Sequence, residues 1–348
     1  MLTAYYLLPK AHLKMKIVTF GEVMMRLSTP NFTRFPQATE FDINFGGGEA
    51  NVASSLAILG LEASHVTRFP DNDLGRSATA IFRKYGVGTE HIVYGGDRIG
   101  IYFVEKGSAM RPSKVVYDRA NSSFSTLQTT DFDWEEILKD TQWFHFTGIS
   151  PAISESAAQA CLEGAKTANR SGIKVSADVG YRSNLWKWGK KPNEVMPELV
   201  ECCDVIVCSK GDASDMFGII PNDEKGSFKS VCKQIIEKFP RVKKVINTKR
   251  GQISASHNTL MGRCWDGQKM IETPLMDIPD IVDRIGGGDA FMAGYIYGEL
   301  TYQETQKALE FAVAASALKH TIEGDFNIVS VQEIEAVVAG DVSGRLKR

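Results

Sequence analysis

The stretch Asp283-Arg284-Ile285-Gly286-Gly287-Gly288-Asp289, followed at once by Ala290-Phe291-Met292-Ala293-Gly294-Tyr295, has the composition of an anion site. Consecutive glycines let backbone N–H groups converge without a Cβ in the way, and the start of a helix adds partial positive charge at the same point. The Asp289 carboxylate then has two possible tasks. As a capping group it accepts a backbone N–H. Beside an anion hole it can take a proton from a hydroxyl that attacks phosphorus. The local sequence leaves these two readings level.

A second cluster, Gly46-Gly47-Gly48-Glu49-Ala50-Asn51, opens another helix-patterned stretch. Its backbone donors and the Asn51 amide could read hydroxyls on a small polar ligand, or the cluster could be only a tight strand-to-helix turn. It lacks the Gly-x-Gly-x-x-Gly spacing of a dinucleotide fold, and no Walker A loop occurs, so a nucleotide would have to be held differently. The six cysteines, Cys161, Cys202, Cys203, Cys208, Cys232 and Cys264, include no Cys-x-x-Cys pair, which points to scattered reduced thiols of a cytoplasmic protein rather than zinc. His145 reads as a core residue and His320 as the end of a helix, where a positive charge would complement the dipole.

The elements that must carry these residues alternate. Short apolar, β-branched runs at 17–20, 64–67, 143–146, 173–177, 204–208 and 244–247 read as strands. Helix patterns fall at 50–59, 75–85, 155–168, 193–202 and 228–238, and the last third closes with helices at 289–300, 303–320 and 331–338. This alternation predicts an α/β fold, a mostly parallel sheet covered by helices on both faces. Two stretches break the pattern. Residues 22–45 and 98–120 hold paired strand-like runs around polar turns, and they predict a small β lid projecting from the sheet edge. Residues 1–14 read as a disordered extension ahead of a domain at 15–340, with 341–348 as a tail.

The 348 residues carry 40 Lys and Arg against 42 Asp and Glu, a formal net charge of −2, which argues against a general nucleic-acid binder or a polybasic membrane anchor. No apolar run approaches the roughly 18 residues needed to span a bilayer. With 43% hydrophobic residues the chain can bury a large core.

The two glycine clusters, in this order, resemble those of the ribokinase (PfkB) family of carbohydrate kinases, and the resemblance runs over nearly all of residues 15–340. Within the family, the phrases Phe144-His145-Phe146-Thr147-Gly148-Ile149-Ser150-Pro151, Asp178-Val179-Gly180-Tyr181-Arg182 and Val115-Val116-Tyr117-Asp118-Arg119 are similar to those of members that phosphorylate 2-keto-3-deoxygluconate. What the resemblance implies is a ribokinase-like fold and transfer of a phosphoryl group from ATP, with Mg²⁺, to the terminal 6-hydroxyl of that sugar acid. Asp289 would be the catalytic base, and the amides of Gly286, Gly287 and Gly288 the anion hole. Gly47, Asn51, Tyr102, Tyr117, Arg119 and Arg182 would contact the substrate. The nucleotide would lie near Ser209, Thr248, Lys249, Gly251, Gly286, Gly288 and the helix at 303–320. Asp212 would act on Mg²⁺ through water, and a monovalent cation such as K⁺ would sit by Asp283 and the loop 321–324. A homodimer or higher oligomer through the lid strands is the implied assembly.

The residue chemistry supports an acidic substrate. Two arginines, Arg119 and Arg182, could clamp a carboxylate, although either could instead pair with a structural acid. Tyr102 and Tyr117 offer aromatic faces and hydroxyls to a sugar-like chain. Several positions depart from the family pattern. Gly287 stands for an Ala, Arg284 for a small residue, Gly180 for an Asn, Ser254 for a glycine of the nucleotide loop, and Ser209-Lys210-Gly211-Asp212 for Asn-x-x-Glu. Pro70-Asp71-Asn72-Asp73-Leu74-Gly75 is likewise an altered form of a family turn. A fructokinase or a sugar sensor without turnover are the competing readings; the first would accept a substrate lacking the carboxylate, the second would show no ATP-dependent phosphorylation.

Overall fold

The computed structural model describes residues 15–344; the expected extension at 1–14 and the last part of the tail lie outside them. The chain begins β1 (Lys16–Phe20), β2 (Met24–Ser28), β3 (Asp42–Gly46), α1 (Gly48–Ile58), β4 (Glu62–Phe69), α2 (Asp73–Lys84), β5 (Ile92–Tyr94), β6 (Gly100–Glu105) and β7 (Lys114–Asp118). It continues through α3 (Trp134–Ile137), β8 (Thr141–Thr147), α4 (Ser150–Ile153), α5 (Glu155–Arg170), β9 (Lys174–Asp178), α6 (Pro192–Val200), β10 (Val205–Val207), α7 (Lys210–Phe217) and α8 (Phe228–Lys238). The last part is β11 (Lys244–Gln252), β12 (Asn258–Trp265), β13 (Met270–Glu272), β14 (Met276–Ile278), α9 (Gly287–Thr301), α10 (Thr305–Lys319) and α11 (Val331–Val338).

The main sheet has the order β13-β12-β11-β10-β9-β8-β1-β4-β5, with β14 also on β12. From β11 to β5 every neighbouring pair is parallel, and β12, β13 and β14 add an antiparallel edge. The alternation of strand residues divides the core between the two faces. Val18 and Phe20 of β1 pack with Phe144, Phe146 and the inner sides of α5, α6 and α8, whereas Ile17 packs with Trp143, α1, α2, α9 and α10. The expected two-sided α/β sandwich is therefore present. His145 is a core residue, bonded through Nδ1 to Ser176 Oγ at 2.8 Å, and burial pushes its pKa down to about 3. All six cysteines are buried thiols.

Residues 22–45 and 98–120 do not extend the main sheet. They form a second sheet of four strands, β3-β2-β6-β7, with β2 and β6 parallel and the outer pairs antiparallel. The chain leaves β1 for β4 and β5 on one side and returns to β8 on the other, so the strand order reverses between β1 and β8. In such sheets the crevice beyond the carboxyl ends of the strands at the reversal collects ligands. Gly21-Glu22, Thr147 and Asp178 all sit at those ends. Among the described residues, no helix is long and apolar enough to cross a membrane.

Candidate active site

The glycine run shapes the first turn of α9. Gly286 caps the helix at φ 84°, a left-handed conformation, and a Cβ there would also run into the Asp325 carbonyl oxygen. Gly287 and Gly288 lie inside the first turn rather than before it. Gly287 N–H donates to Arg284 O at 3.3 Å, so it is already engaged, while a Cβ on Gly288 would meet nothing within 4 Å. The open end of the turn thus lies at Gly288, with helix-start amides facing outward.

Asp289, the third residue of the helix, is half-buried and accepts a hydrogen bond from Asn51 Nδ2 on Oδ2 at 2.7 Å. Asn51 Oδ1 in turn accepts from Gly47 N–H at 3.3 Å. Both glycine clusters therefore converge on one carboxylate, and Asn51 is first of all its partner. Burial raises the Asp289 pKa to about 7; the Asn51 bond opposes the rise, and Asp178, Asp325 and Glu49 add to it.

Those three acids carried no assigned role in the sequence reading. Glu49, in the first turn of α1, is fully buried, and its Oε1 accepts from Thr147 N–H at 3.0 Å, Thr147 Oγ at 2.8 Å and Ser150 Oγ at 2.7 Å. Burial pushes its pKa up. Asp178 ends β9 and accepts from Gly180 N–H at 3.0 Å; burial raises its pKa too, with Arg182 pulling it back and Asp212 adding to the rise. An acid immediately following the glycines at 46–48 was the available signal for Glu49.

Asp283 and Asp325 share a guanidinium. Arg26 of β2 reaches Asp283 Oδ2 at 2.6 Å and Asp325 Oδ1 at 2.8 Å, with its Nε on Ser28 Oγ at 2.7 Å. Tyr102 is buried and its hydroxyl donates to Asp325. Tyr102, expected at the substrate, is thus bonded to Asp325 here, and Asp283, expected beside a monovalent cation, is bonded to Arg26. An arginine inside the apolar run Met24-Met25-Arg26-Leu27 was the overlooked signal. Tyr117 stays exposed and stacks on Tyr102 at 5.9 Å between ring centroids. Arg119 pairs with Glu22, which also accepts from Ser122, and its guanidinium lies 5.8 Å from the centre of the Tyr117 ring. Arg119 thus takes the structural pairing as its resting state. Arg182 is exposed, donates to Tyr181 O at 3.1 Å and lies beside Asp178.

Ser209 caps α7, and its own N–H donates to Asp212 Oδ2 at 2.9 Å; Asp212 Oδ1 accepts from Tyr181 N–H at 2.8 Å. Both oxygens of Asp212 hold backbone. Thr248, Lys249 and Gly251 lie on β11, paired with Gly262, Met261 and Thr259 of β12, and Lys249 is exposed. Arg284 staples this hairpin's loop, donating to Ala255 O at 3.1 Å and Asn258 Oδ1 at 2.9 Å. The expected helix at 303–320 begins at Thr305, because Gln303 takes φ 54°. His320 follows its last turn, bonded to Ser316 O at 2.6 Å, and burial lowers its pKa to about 4, so it is neutral rather than a cation at the dipole.

Comparison with known proteins gives a consistent picture. The sequence profile of the pfkB family carbohydrate kinases matches residues 14–329. The chain is 30% identical over 330 residues to the 2-dehydro-3-deoxygalactonokinase of Haloferax volcanii, covering 94% of this chain and 98% of the relative. Among solved structures, 2-dehydro-3-deoxygluconokinase from Thermotoga maritima superposes with a TM-score of 0.90 at 42% identity, covering 94% of this chain and 99% of that one. A putative 2-keto-3-deoxygluconate kinase from Enterococcus faecalis superposes at 0.88 with 28% identity, covering 96% and 99%.

Proposed function

The chain belongs to the pfkB family of carbohydrate kinases and is a phosphotransferase with an alcohol group as acceptor, and from that premise we propose that it moves the γ-phosphoryl group of ATP to the 6-hydroxyl of 2-keto-3-deoxygluconate. The observation that carries the reading is the Asp289 carboxylate at the mouth of the glycine turn, held by Asn51 and titrating at about 7. A base of that pKa takes a hydroxyl proton at neutral pH. In the transfer the 6-hydroxyl proton goes to Asp289, the sugar oxygen bonds to phosphorus, and the bond from phosphorus to the ADP oxygen breaks. The open amides around Gly288 stabilise charge on the moving phosphoryl group.

The nucleotide fits the side of the crevice where Lys249 is exposed and Gly288 leaves open space, near Ser209, Thr248 and Gly251. Asp178 and Asp212 give that end two interacting carboxylates, which suits a hydrated Mg²⁺ brought in with ATP. When bound, Mg²⁺ supplies neutralisation of the phosphate charge. Gly47, Asn51, Tyr117, Arg119 and Arg182 face the sugar acid in this reading, with Tyr102 behind them as a support.

The names of the relatives favour a 2-keto-3-deoxy sugar acid and leave two stereoisomers, the gluconate and galactonate forms. One observation favours a neutral hexose instead: Arg119 already has Glu22 as its counter-ion. The test is ADP release with Mg-ATP on both keto-deoxy acids, gluconate, fructose, ribose and no sugar, with wild type and Asp289→Asn. Turnover confined to keto-deoxy acids, and lowered by about 10²–10⁴-fold in the variant, is the expected result. Turnover on fructose overturns the acid, and no turnover on any sugar overturns the kinase reading.

The assembly we propose is a homodimer through the lid. Ile43, Leu27, Phe103 and Val116 stand opposite one another across the four strands and share one face, on which Ile43 is 62% and Val116 52% exposed.

A further inference from the structure

A monovalent cation beside the glycine turn would need the oxygens of Asp283 and of the loop 321–324. In this chain, those oxygens face side chains that are themselves cations. Lys319, the last residue of α10, is fully buried, and its Nζ donates to Ile322 O at 2.8 Å. Its Cε lies 3.2 Å from where a Cβ on Gly286 would stand, which places the side chain directly behind the cap of α9. Burial lowers the Lys319 pKa below its ordinary value; Asp283, Asp325 and Asp289 oppose that by attracting the charge, and Arg26 adds to it.

The carboxylates are committed as well. Asp283 Oδ1 accepts from Ile285 N–H at 3.0 Å, and Oδ2 accepts from Arg26 at 2.6 Å and from Gly324 N–H at 3.2 Å. Asp325 accepts from Arg26 and from Tyr102. Two buried cations, Arg26 and Lys319, thus stand against two buried carboxylates, Asp283 and Asp325. A metal ion added here would be a third positive charge in a region of low dielectric, and both oxygens of Asp283 and both of Asp325 are already bonded.

We infer that the Lys319 ammonium, with Arg26 beside it, replaces the monovalent metal ion: it bridges the loop after α10 to the cap of α9 and holds the glycine turn in shape. An ammonium group resembles K⁺ in size and charge and can take the same carbonyl oxygens as hydrogen-bond acceptors. Unlike K⁺ it is tethered, so the turn is formed whatever salt is present. Lys319 is a positioning residue here, acting through Gly286 and not on the substrate.

The test compares K⁺, Na⁺ and tetramethylammonium chlorides at matched ionic strength, reading both unfolding temperature and rate. The unfolding arm needs no substrate, so it stands even if the kinase reading fails. For wild type, unfolding temperature and rate are expected to be the same in all three salts, with rates within about twofold. Lys319→Met is expected to lose about 10- to 100-fold in kcat from misplacement of the turn, and to regain rate and unfolding temperature with K⁺ or ammonium but not tetramethylammonium. Stabilisation and activation of the wild type by K⁺ alone would overturn the inference. So would a folded Lys319→Met protein with wild-type rate and no response to any cation. Should Lys319→Met fail to fold, Lys319→Gln is read by the same criteria, and the wild-type arm alone still decides against the inference.

Discussion

Asp289 is set between opposing influences. Burial and three neighbouring acids push its pKa up, and the single bond from Asn51 pulls it down. In the proposed reaction Asp289 works deprotonated, so kcat/KM for the sugar should rise with pH and level off above about 7. Asn51→Ala removes a donor that favours the charged form, so its profile should shift to higher pH, with the loss larger at pH 6 than at pH 8. A profile of wild-type position in Asn51→Ala would separate Asn51 from the base. A wild-type rate independent of pH between 5 and 8 would remove Asp289 from the proton transfer.

At the scale of elements, α9 and α10 pack so closely that the glycine turn and the following loop share atoms of contact. A Cβ on Gly287 would stand 2.7 Å from His320 Cε1, while the His320 ring is fixed by its 2.6 Å bond to Ser316 O and Ser316 Oγ bonds back to Gly287 O at 2.7 Å. An alanine at 287 would thus press on a histidine one helix away. Gly287→Ala should destabilise the fold by about 1–3 kcal/mol in urea unfolding. Combined with His320→Ala the cost should be less than the sum of the single changes, because the substituted ring no longer meets the new methyl. Additive costs would show that the two positions do not meet.

At the scale of the molecule, the small sheet β3-β2-β6-β7 is attached to the body by charge and left open on one face. Arg26 anchors β2 to Asp283 and Asp325, while Arg119 and Glu22 pair between the two segments that build the small sheet. The row Ile43, Leu27, Phe103 and Val116 lies away from the row Asn44, Arg26, Tyr102 and Tyr117, since the two rows alternate along each strand. Light scattering should therefore give twice the chain mass, and Val116→Lys should return a monomer that keeps its fold. A monomeric wild type at working concentration would leave this face without a second copy.

The main elements and the glycine turns were legible in the sequence because backbone preferences are local. Periodicity gave the strands and helices of the sandwich, and the glycines at 286–288 and 46–48 marked the turns whose shape forbids a Cβ. The three-residue strands β13 and β14 were not legible, because each is an edge strand defined by its pairing with β12 rather than by its own pattern. The partners of the charges were equally hidden. Asn51 and Asp289 are 238 residues apart, Arg26 and Asp325 299, and Arg119 and Glu22 97. Which acid meets which base is decided by the order in which strands β1, β8 and β9 lie side by side, and that order brings loops together at the carboxyl ends of the sheet. The sequence determined that a carboxylate follows a glycine turn at a helix start; only the tertiary structure decided that Asn51 holds it, that Arg26 and Lys319 stand beside Asp283 and Asp325, and that Tyr102 faces inward. Long-range electrostatics has no signature in local spacing, because a buried charge is matched by whatever the fold places beside it.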